Sequence, residues 1–223
     1  MDLKFESIIE FSLTRLCLLS IKNIMTLRIK LEQHLHNDFF FKLQEFFIEK
    51  GYKKNMPSLL QYVDVKADDV ILDVGGNTGK ITNLYSGNSK KIFVLEPEHK
   101  NLRFGMKRRK HIGFVEGEAG RMPFLSEYFD KVVILLSFHH IHDQDTALQE
   151  INRVLKASGR LIMLELDPSF RLGKCIMFYE NIIRHMGCKF YCPLEMKNKI
   201  EKHGFQKVFV KSAPRGYFLI ASK

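Results

Sequence analysis

The run Val70-Ile71-Leu72-Asp73-Val74-Gly75-Gly76-Asn77-Thr78-Gly79-Lys80 restricts the fold of this chain more than any other stretch. Val70 to Val74 reads as a buried strand carrying an acid near its end, and it runs directly into a glycine-rich turn. A helix is expected to start near Thr78. Backbone without Cβ can make a sharp strand-to-helix turn and let a ligand come close. The free N–H groups at the helix start then face that ligand. Such a turn suits a nucleotide-like cofactor.

Two familiar nucleotide loops do not fit. A phosphate-cradling loop needs G-x-x-x-x-G-K-[ST], but only three residues separate Gly75 from Gly79, and Ile81 follows Lys80 where a hydroxyl is needed. A dinucleotide fingerprint needs G-x-G-x-x-G, and neither Gly75 nor Gly76 opens that spacing. The pattern Asp73-x-Gly75-x-x-x-Gly79 instead resembles motif I of the class I S-adenosylmethionine (SAM) dependent methyltransferases, whose form is D/E-x-G-x-G-x-G. Asn77 stands at the middle glycine, and Asn tolerates left-handed backbone angles better than most residues.

The order of the segments C-terminal to this turn strengthens the resemblance. Lys91 to Glu96 reads as a second buried strand ending in an acid, and a carboxylate there can accept bonds from ribose hydroxyls. In the family this is the motif II acid, here followed by Pro97. Gly113 to Phe124 resembles the family's x-G-D-A-x-x-L-P-F segment, with Glu118 in place of Asp and Ala119 after it, where acid and backbone contact adenine. Phe129 to Ile141 looks like the fourth strand and its exit. Glu150 to Leu161 resembles E-x-x-R-V-L-K-P-G-G-x-L, with Ala157 and Ser158 replacing Pro-Gly. The span from Val70 to Asp167 is therefore similar to the methyltransferase subgroup that includes ubiquinone/menaquinone-type enzymes.

The resemblance implies a Rossmann-like, doubly wound α/β fold with a mostly parallel seven-stranded sheet. Alternating strands and helices from Val70 onward agree. Phe205–Val210 and Gly216–Ala221 flank Ala213-Pro214-Arg215 and read as an antiparallel hairpin. Asp143 to Lys156 reads as a helix stopping at Ser158-Gly159, and Leu161 to Leu166 as the fifth strand. Pro193 opens a further helix that ends before Gly204. Residues 1–65 are expected to form a helical extension that caps the cofactor, and residues 66–223 the methyltransferase domain. Within it, residues 168–192 form an aromatic- and methionine-rich substrate lid.

The extension holds two apolar helical stretches, Ile8 to Ile24 and a phenylalanine-rich one around Phe39 to Phe47. Glu10, Arg15 and Lys22 interrupt the first, so no run reaches the roughly 18–20 apolar residues that span a bilayer. Packing on the core is favoured over contact with a membrane surface, and no signal peptide is evident. Met25 offers an alternative start. At 223 residues the chain suits one domain, expected in the cytoplasm. Cys17, Cys175, Cys188 and Cys192 read as free thiols, and no metal centre is expected, Cys188-x-x-x-Cys192 near His185 included.

The net charge of +10 is uneven. Six basic residues and no acid lie between Lys100 and His111, read here as a solvated helix face with Leu102, Phe104 and Met106 behind it. Nucleic acid is therefore not the favoured partner, since no nucleic-acid module is visible and strand four exits as Ser137-Phe138-His139-His140. That exit lacks the Asn/Asp-Pro-Pro-aromatic signature of amino-group methylases.

Methyl transfer from a sulfonium needs placement and desolvation more than acid–base groups, because the cofactor carries the activation. The motif residues expected to bind SAM are Asp73, Gly75, Gly76, Asn77, Gly79, Glu96, Pro97, Glu118, Ala119 and Ser137. His139 lies at the same sheet edge and is the candidate catalytic base for a phenol or enol. Its competing reading is a neutral histidine packed under that edge. Glu150 and Arg153 read as structural. The expected function is methylation of a small, apolar or aromatic molecule. RNA or protein methylation and a degenerate SAM-binding scaffold are the alternatives.

Overall fold

The computed structural model describes residues 38–223 except 88, 90, 184 and 215. The stretch Ile8 to Ile24 and Met25 lie outside the described residues. Seven strands form one sheet: β1 (Val70–Val74), β2 (Lys91–Glu96), β3 (Ile112–Glu116), β4 (Phe129–Leu135), β5 (Leu155–Leu166), β6 (Gln206–Ala213) and β7 (Gly216–Ser222). Their order is β3-β2-β1-β4-β5-β7-β6. The first five are parallel neighbours, while β7 runs antiparallel to both β5 and β6. This is the expected sheet, with the C-terminal hairpin in place.

All five residues of β1 are buried because helices cover both faces. Alternation along the strands divides the core in two. Leu72, Val74, Val132, Ile134, Leu161 and Met163 point to one side. Ile71, Val133, Leu135, Ile162 and Leu164 point to the other.

Among the described residues, seven α-helices surround the sheet: α1 (Asp38–Tyr52), α2 (Met56–Val63), α3 (Lys80–Tyr85), α4 (His99–Arg108), α5 (Gln144–Val154), α6 (Arg171–Phe178) and α7 (Pro193–Lys202). The Asp143 side chain caps α5 by accepting from the Thr146 amide at 3.0 Å. That helix ends at Val154, earlier than its sequence suggests, because Leu155 already pairs with Phe129. Ser158 and Gly159 therefore lie within β5, where the ladder shifts register between Phe129 and Lys131.

Glu150 and Arg153 form a bidentate pair at 2.6 and 2.9 Å. Together they bind the Met122 amide and the carbonyls of Met122 and Phe124. They clamp the segment after β3 to α5, a structural role.

On α4, Leu102 and Phe104 are buried but Met106 is exposed. Arg109 also departs from the solvated face. It is buried, its Nη2 lies 2.6 Å from Glu45 of α1, and its Nη1 donates to the Thr78 carbonyl at 2.8 Å. No helix among the described residues is long and apolar enough to cross a membrane.

Candidate functional site

Strands β1 and β4 are neighbours, but the chain leaves β1 toward β2 and β3 and returns to β4 from the other side. A crevice opens at the carboxyl ends of such a pair. The loop after β1 fills it. Gly75 adopts φ +72°, and a Cβ there would come within 2.7 Å of the Ser137 side chain. Ser137, leaving β4, donates its hydroxyl to the Val74 carbonyl at 2.9 Å. The two strand ends are thus stitched together at a point that only glycine fits.

Asn77 takes φ +55°, the left-handed angle expected of it. Its side-chain oxygen accepts from the Thr78 amide at 2.7 Å, and its own amide donates to Glu96 Oε2 at 3.0 Å. The missing glycine is therefore replaced by a residue that holds the turn through its own side chain. Gly79, at φ +73°, precedes α3, which starts at Lys80 rather than Thr78. A Cβ on Gly79 would lie 2.8 Å from the Phe114 ring. Packing of the loop against β3 thus restricts this position, together with its backbone angle.

Asp73 sits almost fully buried behind the loop, at 2 % exposure. Its Oδ2 accepts from Thr82 Oγ1 at 2.6 Å and Tyr85 Oη at 2.7 Å, while Oδ1 has no hydrogen-bond partner among the described residues. Burial pushes its pKa up to about 6, against the lowering effect of the two hydroxyls. A buried carboxylate oxygen without a donor fits a ligand that brings donors or positive charge, and SAM carries an ammonium and a sulfonium.

Glu96, at the end of β2, accepts from Asn101 Nδ2 and the Glu98 amide on Oε1, and from Asn77 on Oε2. Three bonds orient the carboxylate, and it retains acceptor capacity for a ribose. Pro97 follows it, exposed. Glu118 and Ala119 lie on the turn after β3, joined to the Glu96 carbonyl through the Gly117 amide at 3.3 Å. Glu118 is exposed, and its backbone carbonyl accepts from the Arg121 amide at 3.1 Å. The structure thus joins Asn77 to Glu96 and sets Gly75 against Ser137, while Asp73 is held from behind by Thr82 and Tyr85. Gly76 packs against the Asp73 carboxyl, with Pro97, Glu118 and Ala119 at the rim.

One anchor of this loop was not legible in the sequence. Glu45, buried on α1, accepts from Thr78 Oγ1 at 2.7 Å while pairing with Arg109. It is one of three acids on a phenylalanine-rich amphipathic helix, and nothing in the sequence sets it apart from the other two. Beside it, Tyr52 donates to the Leu135 carbonyl at 2.9 Å. In the described part of the extension, α1 grips the loop from the α3 side.

A second cluster lies where β4 and β5 end. Glu165, in an otherwise apolar stretch of β5, accepts from the Phe138 amide at 2.8 Å and stands 2.6 Å from His139 Nδ1. A carboxylate only accepts, so Nδ1 carries the proton and Nε2 faces away. Nε2 lies 3.7 Å from Glu180 Oε2, on the π-helical turn Tyr179–Ile183 that continues α6. The His139 ring is buried, stacked on Phe190 at 4.5 Å and tilted against His140 at 4.1 Å. Burial works against the imidazolium, yet Glu165 and Glu180 outweigh it and raise the His139 pKa above the ordinary value. Gln144 bridges the Phe138 and Lys189 carbonyls, and Tyr217 Oη reaches the Tyr191 carbonyl, tying Lys189 and Tyr191 to this edge.

Known proteins resemble this chain in sequence and in fold. The sequence model of the family described as "Methyltransferase domain" matches residues 72–163. A demethylmenaquinone methyltransferase of Thermotoga maritima is 29% identical over 147 residues, covering 64% of this chain and 63% of its own. A ubiquinone/menaquinone biosynthesis C-methyltransferase of Pasteurella multocida is 33% identical over 138 residues, covering 55% and 50%. The chain thus spans between half and two thirds of the length of these relatives. A crystal structure of a SAM-dependent methyltransferase from Thermotoga maritima superposes with TM-score 0.66 at 20% identity, over 83% of this chain and 96% of that one. The sheet order agrees with these matches: residues 72–163 match the methyltransferase-domain model, and the chain shares the fold of class I methyltransferases, a class whose cofactor is SAM.

Proposed function

We propose that the protein methylates a small, apolar, aromatic acceptor of the hydroquinone type. One observation carries the reading: the His139–Glu165 pair stands at the ends of β4 and β5, two residues beyond the Ser137 that closes the cofactor loop. Bound SAM supplies a methyl on a sulfonium, whose S–C bond breaks toward sulfur as the acceptor attacks.

The chain's own residues place and prepare the acceptor. Phe190, stacked on His139, and the exposed Phe178 and Ile182 of the 168–192 segment would supply apolar walls that close over the acceptor. His139 Nε2 receives the hydroxyl proton of the acceptor, which sends electron density into the ring for attack; once the ring C–C bond has formed, the displaced ring C–H proton leaves to solvent and His139 returns its proton to the oxygen. Glu165 fixes the tautomer and, with Glu180, stabilises the imidazolium that forms. The similarity to quinone-ring methyltransferases supports a ring carbon as the methylated atom.

The test incubates purified protein with labelled SAM and demethylated benzoquinols and naphthoquinols, with transfer RNA and protein in parallel. Label in a quinol, lost in His139→Ala at retained SAM affinity, is expected. Label in RNA or protein alone would replace this reading with the macromolecular one. SAM binding without any methylated acceptor across metabolite extracts would favour a scaffold.

A further inference from the structure

We propose that His139, His140 and Glu180 hold one divalent first-row transition ion of the zinc type, with an open coordination position for an acceptor oxygen. One ligand atom from each of the three residues lies within 4.8 Å of the others. His139 Nδ1 is committed to Glu165 at 2.6 Å, which leaves Nε2 with its lone pair toward Glu180. The 3.7 Å between Nε2 and Glu180 Oε2 is too long for a hydrogen bond. It is close to the separation of two ligands, each about 2.1 Å from a shared ion at a tetrahedral angle, which is about 3.4 Å. The sequence alone indicated no metal centre, because the two histidines are adjacent and Glu180 lies forty positions away on another element.

The chemistry of the donors selects the ion. Two imidazoles and one carboxylate suit zinc, cobalt(II) or iron(II), whereas calcium and magnesium want all-oxygen shells and copper(I) wants thiolates.

The surroundings are those of a supported site. Glu165 orients His139 from behind, and the Phe138 amide holds Glu165 in turn at 2.8 Å. His140 Nδ1 lies 3.2 Å from Cys188 Sγ. Asn181 fastens Cys188 through both its amide, at 2.6 Å, and its carbonyl, at 2.8 Å. His140 is exposed and Glu180 only half-buried, so the open side faces the mouth of the site. Three protein ligands with an open position is the arrangement of catalytic rather than structural zinc.

An ion there replaces the base role given to His139. A hydroxyl bound to the ion becomes acidic and loses its proton to water, and His139 then acts as ligand instead of base. This part rests on the acceptor proposed above; binding of the ion does not.

The experiment uses the full chain, stripped with a chelator and returned to metal-free buffer. It is titrated with cobalt(II), followed by visible absorption, and with zinc(II) in a calorimeter. One equivalent is expected to bind, at least tenfold more weakly in Glu180→Gln and in His140→Gln. Neither side chain is fully buried, so both variants should melt as the wild type does and keep its SAM affinity. No binding, equal binding in all three proteins, or an intense sulfur-to-cobalt band pointing to Cys175 or Cys192 would overturn the site. Quinol methylation unaffected by chelator and zinc would overturn the ion's catalytic role and leave the methylation reading intact. Stoichiometric binding with no methylated quinol would uphold the ion and remove that reading.

Discussion

Replacing Glu45 by Ala tests whether α1 is a working part of the cofactor loop. The Glu45 and Arg109 side chains are 10% and 8% exposed, so solvent screens their attraction little. Removing one partner of a buried pair typically costs about 3–5 kcal/mol, because the other charge is stranded. Losing the Thr78 hydroxyl bond adds about 1 kcal/mol. Arg109 keeps its bond to the Thr78 carbonyl, which offsets part of the loss and places the total near the lower bound. About 3–4 kcal/mol corresponds to a fall in Tm of roughly 6–16 °C for a chain of this size. Urea unfolding followed by circular dichroism gives the free energy. A cycle with Arg109→Met isolates the pair, expected to couple by more than about 1.5 kcal/mol. Because Thr78 lies inside the loop, calorimetry should show weaker SAM binding at temperatures where the variant is still folded. A cost below about 1 kcal/mol, or additive single effects, would refute the reasoning.

Glu96→Ala should weaken SAM by about 1.5–3 kcal/mol, roughly ten- to a hundredfold, by removing the charged acceptor at the end of β2; equal titrations of variant and wild type would contradict the ribose role. Gly79→Val should abolish tight SAM binding and lower Tm, since the Phe114 ring stands 2.8 Å from the new Cβ and the backbone is left-handed; an unchanged Tm would show that the loop yields. Asp73 gives a pH dependence with a definite sign. Its folded pKa, about 6, exceeds the ordinary 3.8, so it stabilises the fold below pH 3.8, and that contribution disappears as pH rises through 6. A donor-bearing cofactor favours the carboxylate, so SAM affinity should fall as pH drops below 6; a flat profile across that pKa, or Asp73→Asn with the wild-type slope, would contradict it.

The parts of the site that lie along the chain were legible, because each comes from one strand end and its loop. Asp73, Gly75 and Glu96 announce themselves through apolar runs that stop at an acid or a glycine. Asn77 was legible as a left-handed residue, although not that its side chain would bind the next amide. Partners brought in from distant elements were not. Glu45 is one acid among several on α1, and Arg109 is one basic residue among its many basic neighbours, yet they find each other behind Thr78. Glu165 looked like an ordinary strand residue, since periodicity records the face a side chain takes and not the histidine it meets there. Gly79 was legible through its place in the loop, which its left-handed angle bears out, but the contact with Phe114 was not, since that depends on the β2–β3 register.

The sheet order also governs how this chain assembles. Strand β1 pairs with β2 soon after it is made, but its other flank waits for β4, and the Val70 amide finds Asp130 only sixty positions downstream. In the interval the apolar sequence Val-Ile-Leu-Asp-Val offers an unsatisfied ladder of N–H and C=O groups, the kind of edge on which strands from other molecules add. Long-range parallel pairing closes slowly because loop entropy must be overcome first. The strand that later anchors the cofactor loop is thus the one most exposed to intermolecular pairing during synthesis, and slow, cool expression would favour the soluble form over aggregates.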